Sequence, residues 1–368
     1  MDKKNTKKSL GYIHTLPEPP HKKRVYPFVS IVVLNFNGKQ FLEKCLSSIL
    51  SSDYPSFEAI LVDNGSTDGS VKLVKDLFGC DSRLKIVRSN KNLGIAEGFN
   101  IGARAARGEY IAFQQNDVEP RPDWLEELVT VMERDPMIGA AQGKILSMLD
   151  RRTIDCAGGF LDSLGFTYRR GHNEEDRGYY NEICECFLVH SLAMVFRKEA
   201  LDKVGLFPPD FFLDKFDTDL SLRLWIAGYR VVYVPTSITY HRDWRARTYH
   251  QKPAVSSEEW TFHSTKTIIT LLLRNYEISN VIKLLPSYIC ILAGYAAYSA
   301  LKAGNPKYLQ YLFINSVLWN LSNLKQIFSE RLTIQKMRRR SDKEIMKRFL
   351  NESFRVLELV AGVVRNSE

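Results

Sequence analysis

The chain of 368 residues has no hydrophobic run at its N-terminus and only six cysteines. The cysteines are scattered, and the one close pair, Cys184 and Cys186, has no second pair to complete a zinc knuckle. A chain of this size buries a large core without disulfides. We therefore expect reduced cysteines and an intracellular protein.

Two common nucleotide-binding motifs are also missing. No G-x-G-x-x-G follows the first apolar run, where NFNGKQF stands instead, and no Walker A sequence occurs in the chain. The first absence argues against a dinucleotide-binding dehydrogenase. It also disfavours sugar nucleotidyl transfer, which would need a glycine-rich basic loop at that place.

The formal net charge of +9 is unevenly distributed. Residues 1–24 carry +5 and residues 331–350 carry +6, so the rest of the chain is slightly acidic. Positive charge concentrated at both ends suits a phospholipid headgroup surface better than a nucleic-acid groove. We expect a membrane surface and no nucleic acid as partner; two solvated tails are the alternative.

Between residues 28 and 145, apolar β-branched runs alternate with helical patterns. This alternation predicts an α/β fold, a mostly parallel sheet with helices on both faces. Ligands of such sheets bind beyond the carboxyl ends of the strands, where the polar clusters NFNG, DNGSTDGS, SNKNLG and QQND lie. The predicted strands are 28–35, 57–63, 84–89, 109–114 and 138–145, and the predicted helices are 39–50, 68–78, 95–106 and 122–134.

The second half of the chain is less regular. The pattern predicts a hairpin over 158–171, a strand over 187–197, a helix over 217–228 and a strand over 230–235. Further on, two uncharged stretches, 284–301 and 308–324, are marginal for spanning a membrane, since 18 helical residues reach only about 27 Å. They predict a re-entrant or interface-lying pair of helices. A helical subdomain packed on the rest of the protein is the alternative.

Single acids stand at two predicted strand ends. In YIAFQQNDVEP (110–120) the strand ends at amides and then Asp117, whose carboxylate suits a divalent metal ion. In LVDNGSTDGS, Asp63 and Asn64 offer hydrogen-bond acceptors for a base edge or a ribose hydroxyl. Ordinary turn or cap roles are the alternative, because Asp, Asn, Gly and Ser also dominate turns.

Taken together, the motifs resemble family 2 glycosyltransferases, and among these most closely the rhamnosyltransferase-like branch. The resemblance covers roughly residues 27–245. It rests on eight segments that occur in the same order in the family: VSIVVLNFNGKQFLEKCLSSIL, ILVDNGSTDGS, NKNLGIAEGFNIGARAARGEYIAFQQND, WLEELVTVMERDPMIGAAQGKI, DCAGGFLDSLG, VFRKEALDKVGLF, FDTDLSLRLWIAGYRVVYVP and YH.

This resemblance implies a GT-A fold and an inverting transfer from a nucleotide-diphosphate sugar, UDP- or dTDP-linked. Asp63 would receive the nucleobase, while Asp117 and His241 would hold Mg²⁺ or Mn²⁺. Asp217, in FFLDKFDTDLSLR (211–223), would be the catalytic base; a helix N-cap is its alternative role. The remaining donor-binding positions would be Asn35, Asn64, Asn92, Gly94, Asn100 and Asn116.

Two departures from the family pattern concern the acceptor. Phe216 stands where the family usually has Glu, and His190 begins a segment that is usually a small Ser-Gly pair. We place both, with Asp219, on the acceptor side. The acceptor would be a glycan or a lipid-linked glycan precursor; a non-catalytic glycan- or partner-binding descendant of the fold is the alternative function.

The organisation that follows has three parts. Residues 1–27 form a basic tail, and 28–250 form the GT-A domain, divided into a nucleotide-binding half (28–145) and an acceptor half (146–250). Residues 251–368 form a helical, basic, membrane-associated region. We expect a cytoplasmic enzyme at the inner face of the cell membrane, and the sequence leaves its oligomeric state open.

Overall fold

A computed structural model describes residues 26–161, 166–242 and 257–349. The predicted tail and the tip of the predicted hairpin lie mostly or wholly outside these ranges. The first part alternates strands with helices as expected: β1 Val29–Asn35, α1 Lys39–Leu50, β2 Phe57–Asp63, α2 Ser70–Phe78, β3 Leu84–Arg88, α3 Gly94–Ala105, β4 Tyr110–Gln115, β5 Val118–Pro120, α4 Trp124–Glu133 and β6 Ile138–Ser147.

The middle part consists of short strands and two helices. The predicted hairpin is present as an antiparallel pair of three-residue strands. The elements are β7 Ile154–Cys156, β8 Gly159–Leu161, β9 Thr167–Arg169, β10 Cys184–Glu185, β11 Ala193–Arg197, α5 Lys198–Val204, α6 Phe216–Ile226 and β12 Arg230–His241.

The last part is helical. It contains α7 Ser257–Asn275, α8 Ile278–Ala303, α9 Lys307–Leu309, a π-helical turn Gln310–Ile314, α10 Asn315–Ser322, α11 Leu324–Lys336 and α12 Asp342–Phe349.

The main sheet has the strand order β10-β12-β6-β11-β4-β1-β2-β3. β1 pairs in parallel with β2 and β4, and β6 pairs in parallel with β12, whereas β11 runs antiparallel between β4 and β6. The predicted α/β class with a largely parallel sheet is confirmed.

Two predicted strands differ by more than two residues from the strands of the structure. The strand predicted over 187–197 begins only at Ala193, because the backbone of Leu188 pairs with Gly159 of the hairpin instead of the main sheet. The strand predicted over 230–235 continues to His241, past an irregularity between Val234 and Ile238. The continuation lays His241 opposite Val118 of β5.

Buried side chains cover both faces of the sheet. Alternate residues of β1 point to opposite faces, so Ile31 and Val33 pack with α1 and α4, whereas Val32 and Leu34 pack with α3. The hydrophobic cluster that contains Val32 and Leu34 also includes apolar residues of α7, α8, α11 and α12. The C-terminal helices therefore pack against the α/β part, as the helical-subdomain alternative stated, and the core crosses the predicted boundary at residue 250.

Most arginines of RLTIQKMRRRSDKEIMKR (331–348), a segment expected to face lipid headgroups, make contacts within the protein. Arg331, Arg338 and Arg340 donate to backbone carbonyls of earlier residues, and Arg348 pairs with Glu185. These guanidinium groups hold the end of the described chain against the rest of the protein.

α8 still has much uncovered apolar surface. Among the described residues it is the one helix long and apolar enough to cross a membrane, by length and composition, and 22% of its most apolar window is buried. The exposed large apolar side chains of the C-terminal helices include Ile278, Ile282, Tyr295, Leu301, Ile314, Leu318, Leu321, Phe328 and Leu332.

Candidate active site

The carboxyl ends of three neighbouring strands bring polar side chains together. Asn35 at the end of β1 is in register with Asp63 at the end of β2. Its Nδ2 lies 3.4 Å from Asp63 Oδ1 and donates to Ser66 Oγ at 3.1 Å, while its Oδ1 accepts from Asn116 Nδ2 at 2.6 Å. Three residues predicted to bind the donor thus form one connected cluster.

Gly38 lies so close to the side chains of this cluster that there is no room for a Cβ atom. A Cβ at this position would lie 1.9 Å from Asn116 Nδ2 and 2.7 Å from Asn35 Oδ1. Distances below 3.0 Å are not found between real Cβ atoms and their neighbours. The glycine of NFNG is therefore needed for packing here and not for a left-handed turn.

One carboxylate oxygen of Asp63 accepts no hydrogen bond from the described residues. The side chain is fully buried, and Oδ2 has no hydrogen bond to any described residue; its nearest cation is Arg88, whose Nε lies 3.6 Å away. A buried carboxylate oxygen without a donor is costly. A ligand N–H or O–H at this oxygen would remove that cost.

Asn64 and Asn92 shape the loop before α3. Asn64 Nδ2 donates to Asn92 Oδ1 and to the carbonyl of Gly94, both at 3.0 Å, and Asn92 Oδ1 also accepts the Gly94 N–H at 2.9 Å. Gly94 has φ +84° and lies beneath Phe212, whose ring would be 2.5 Å from an added Cβ. The predicted donor contact of Gly94 is thus not supported, because Phe212 covers it.

Asn100 is wrong as a donor-binding residue. It is buried on α3, where its Nδ2 donates to the carbonyl of Phe207 at 2.8 Å and its Oδ1 accepts the Phe207 N–H at 3.0 Å. Both amide atoms therefore hold a distant loop against α3. The asparagine has a structural role.

The predicted metal ligands meet because β5 pairs with the end of β12. His241 Nε2 lies 3.6 Å from Asp117 Oδ2, and Asp117 Oδ1 is buried without a hydrogen-bond partner among the described residues. Two atoms bound to one Mg²⁺ or Mn²⁺ at about 2.1 Å each are separated by about 3–4 Å. The pair therefore fits a shared divalent cation.

The protein supplies few ligands at this place. Within the described ranges no group of three or more His, Cys, Asp or Glu side chains is arranged to hold a metal ion. A cation between Asp117 and His241 would need most of its oxygen ligands from a bound molecule or from water.

A second carboxylate, which the sequence reasoning did not identify, contacts the histidine from the other side. Asp155 Oδ2 lies 2.6 Å from His241 Nδ1. Burial alone would lower the pKa of His241, but the neighbouring carboxylates of Asp117 and Asp155 outweigh that effect and raise the pKa to about 9. The imidazolium thus sits as a cation between two carboxylates. A metal ion bound at Nε2 would displace the proton there.

Asp217 lies in the first turn of α6 and is mostly buried. Its Oδ2 accepts the N–H of Ser191 at 3.0 Å and its Oδ1 accepts the N–H of Thr218 at 2.7 Å. Ser191 in turn accepts a hydrogen bond from Gln115 Nε2 at 3.3 Å, which links the acid to the end of β4. Lys215, not Asp217, occupies the N-cap position of the helix.

His190 lies beside this carboxylate. Burial lowers the pKa of the imidazole, against the opposing charge of Asp217. Its Nδ1 is buried and makes no hydrogen bond to a described residue. The structure thus places this acceptor-side candidate next to Asp217.

The other two acceptor-side candidates are wrong. Phe216 is buried among aromatic rings, with Phe207 at a centroid distance of 5.3 Å. Asp219 is fully buried and pairs with Arg223 at 2.8 Å and with Arg274 of α7 at 2.6 Å. Positions 217 and 219 are about 200° apart around a helix, so only one of them faces the site.

Five side chains of the site carried no clear sequence signal. Asp155 belongs to the motif DCAGG, but a lone Asp in a short strand has no recognisable chemistry. Gln115 lies within the polar cluster QQND, but nothing in the sequence linked it to Asp217. The other three reach the site through packing alone: Arg169, His172 and Ser191.

Residues 30–205 match the family model described as Glycosyl transferase family 2. An uncharacterized glycosyltransferase of Haemophilus influenzae is 30% identical over 175 residues, which are 46% of this chain and 52% of that protein. The chain thus spans about half the length of this relative.

Two solved structures share the fold. GalNAc-T7, crystallised with UDP, GalNAc and Mn²⁺, superposes with a TM-score of 0.61 at 17% identity over 88% of this chain and 57% of that one. The mannosyltransferase PcManGT of Pyrobaculum calidifontis, in complex with GDP-Man and Mn²⁺, superposes with a TM-score of 0.50. Its sequence identity is 18%, and the match covers 81% of this chain and 88% of that one. The expected GT-A fold is confirmed, and the rhamnosyltransferase-like branch stays a prediction. Residues 30–205 of the chain are thus similar to glycosyl transferase family 2.

Proposed function

We propose that this protein is an inverting glycosyltransferase that moves a sugar from a nucleotide-diphosphate sugar to a hydroxyl group of a glycan or lipid-linked acceptor. One observation carries the proposal. The Asp117–His241 pair and the Asp217 carboxylate lie at the same edge of a family 2 sheet, linked through Gln115 and Ser191. A protein that only binds a glycan would not need a carboxylate placed to accept a proton in addition to a cation site.

Support for the donor side comes from the end of β2. The free Oδ2 of Asp63 accepts a hydrogen bond from the nucleobase, and Asn35, Asn64, Asn92 and Asn116 shape the surface around it. We propose a UDP- or dTDP-linked donor, because the ring N–H of either base suits an acceptor-only carboxylate.

Support for a metal comes from the orphaned Oδ1 of Asp117 and the facing Nε2 of His241. These two groups would hold Mg²⁺ or Mn²⁺, and diphosphate oxygens would supply further ligands. When bound, the ion neutralises negative charge on the departing nucleoside diphosphate. Because the described residues offer fewer than three ligands at this place, we expect metal and nucleotide to bind together.

Asp217 performs the proton transfer. Its two hydrogen bonds from backbone N–H groups hold the carboxylate in place for this step. As the acceptor oxygen bonds to the anomeric carbon, its proton passes to Asp217 and the bond to the diphosphate oxygen breaks. Attack from the face opposite the leaving group inverts the configuration.

The acceptor side is next to His190, whose neutral ring can donate to or accept from a sugar hydroxyl. The exposed apolar surface of the C-terminal helices favours an acceptor held in a membrane. Residues 278–329 contain four lysines and no Asp or Glu. An apolar surface with only positive charges suits the anionic inner face of a cell membrane.

Thermal-shift measurements with UDP, dTDP and GDP, each with and without Mn²⁺, test this function on the full chain. We expect one nucleotide to raise the melting temperature in a Mn²⁺-dependent way, and Asp117→Ala to abolish the shift. Asp76→Ala removes an exposed acid far along α2 and serves as the matched control. Absence of any shift in a cooperatively melting wild type would favour the non-catalytic alternative.

A further inference from the structure

Asp155 is held in one orientation by groups that do not belong to the donor site. Its Oδ1 accepts from Arg169 Nη1 and lies 3.2 Å from His172 Nδ1, which also contacts the Asp155 backbone carbonyl at 3.0 Å. The carboxylate is nearly buried.

The second oxygen of this fixed carboxylate engages one nitrogen of His241. Asp155 Oδ2 lies 2.6 Å from His241 Nδ1, a distance at which the ring N–H donates to the carboxylate. Nε2 is then the nitrogen that faces Asp117. A carboxylate behind a histidine is how metal sites fix the ring and increase its basicity.

We infer that Asp155 is a positioning residue that holds His241 with Nε2 towards Asp117, so that the two can share a divalent cation. This inference rests on the proposed function, because it needs a metal at Asp117. Asp155 would act through His241, because its Oδ2 contacts Nδ1 and not the Nε2 atom that faces Asp117.

The variant Asp155→Asn tests the inference, because the amide keeps the size but has only one accepting oxygen. Arg169 and His241 both need an acceptor, so one of the two contacts becomes donor against donor. The ring of His241 then turns or changes its protonated nitrogen. We expect Mn²⁺ to bind about 10- to 100-fold more weakly, the usual effect of removing such a partner.

Mn²⁺ binding is measured by the electron paramagnetic resonance signal of the free ion, with UDP or dTDP present, on the full chain. Glu175→Gln is the matched control, since it removes an exposed acid from the same part of the chain. Melting curves confirm folding. Asp155→Glu keeps the charge beside Arg169 but shifts the carboxylate oxygens. We therefore expect its Mn²⁺ affinity to lie between the affinities of the wild type and of Asp155→Asn. If Asp155→Asn does not fold, Asp155→Glu takes its place in the test.

Each outcome decides the question. Weak Mn²⁺ binding by the Asp155 variants, with Glu175→Gln like wild type, supports the positioning role. Equal Mn²⁺ binding by wild type and folded Asp155→Asn overturns it and leaves the proposed function intact. If the wild type binds no Mn²⁺ with either nucleotide, the proposed metal site itself fails, and the inference fails with it.

Discussion

Asp219 of α6 and Arg274 of α7 form a buried ion pair, with 2.6 Å between Oδ1 and Nη2. Asn275 donates to the same carboxylate oxygen, and Arg223 pairs with the other one. The helix that begins with the proposed base is therefore anchored to the C-terminal helices. The position of the proposed base thus depends on the C-terminal helices, which the sequence analysis treated as a separate region.

Arg274→Met should destabilise the protein by roughly 3 kcal/mol, because it leaves Asp219 buried with one of its cations missing. The free energy of unfolding in urea gives the value. Lys72→Met, which breaks an exposed pair with Asp76, should leave the free energy of unfolding nearly unchanged. If the Arg274 variant has unchanged stability but an altered acceptor preference, the role of Asp219 in acceptor binding would be supported instead.

Asp217→Asn should lower kcat by about 10³-fold and change the KM for the donor little, because only proton removal is lost. The amide oxygen can still accept the Ser191 N–H. Steady-state kinetics with the donor identified by thermal shift measure both constants. Asp202→Asn, at an exposed acid paired with Lys198, is the control. Retained turnover would move the base to another group, with His190 as the nearest candidate.

Gly38→Ala should weaken nucleotide binding about tenfold or more, because the new methyl group displaces Asn116 and Asn35. Overpacking of this kind also costs about 1–3 kcal/mol of stability. Calorimetric titration with the nucleotide gives the affinity. Gly294→Ala adds the same methyl group where nothing lies within 4 Å, and should leave nucleotide binding unchanged. An unaffected Gly38 variant would mean that the NFNG loop does not shape the donor site.

Replacing both Leu318 and Leu321 by Asp should reduce binding to phospholipid vesicles at least tenfold, because two exposed apolar side chains of α10 become charged. Co-sedimentation compares vesicles with phosphatidylglycerol to vesicles of phosphatidylcholine alone, and the wild type should prefer the anionic ones. Leu77→Asp, an equally exposed change on α2, should not matter. If the wild type stays in solution and elutes as a dimer, the apolar surface joins two copies of the chain instead.

Glu58→Gln should lose about 2 kcal/mol of stability at pH 7. Burial alone would raise the pKa of Glu58, but hydrogen bonds from Arg107, Lys85 and Ser30 outweigh that effect and lower it to about 2. Because the folded pKa lies below the unfolded one, this stabilisation is complete above about pH 4.5. It is lost as the pH falls towards 2, so the difference between wild type and Glu58→Gln should shrink in urea unfolding at pH 3. A difference that does not depend on pH would show that the charge is not responsible.

The sequence was most informative where local pattern and tertiary position coincide. Because parallel strands end at one edge, the polar residues after β1, β2 and β4 had to meet there. Asn35, Asp63 and Asn116 accordingly form one cluster. The same logic does not extend to helices, where Asp217 and Asp219 look alike in the sequence but point in different directions.

The sequence by itself determined the alternating α/β architecture, the resemblance to a glycosyltransferase family and the edge of the sheet where the polar residues collect. These follow from hydrophobic periodicity and from motifs that are local in the chain. Only the tertiary structure brought Asp155 to His241, assigned Asp219 to a buried ion pair and turned the arginines of 331–348 towards backbone carbonyls. Such contacts join residues far apart in the chain, and a side chain's partner depends on packing that no local pattern encodes.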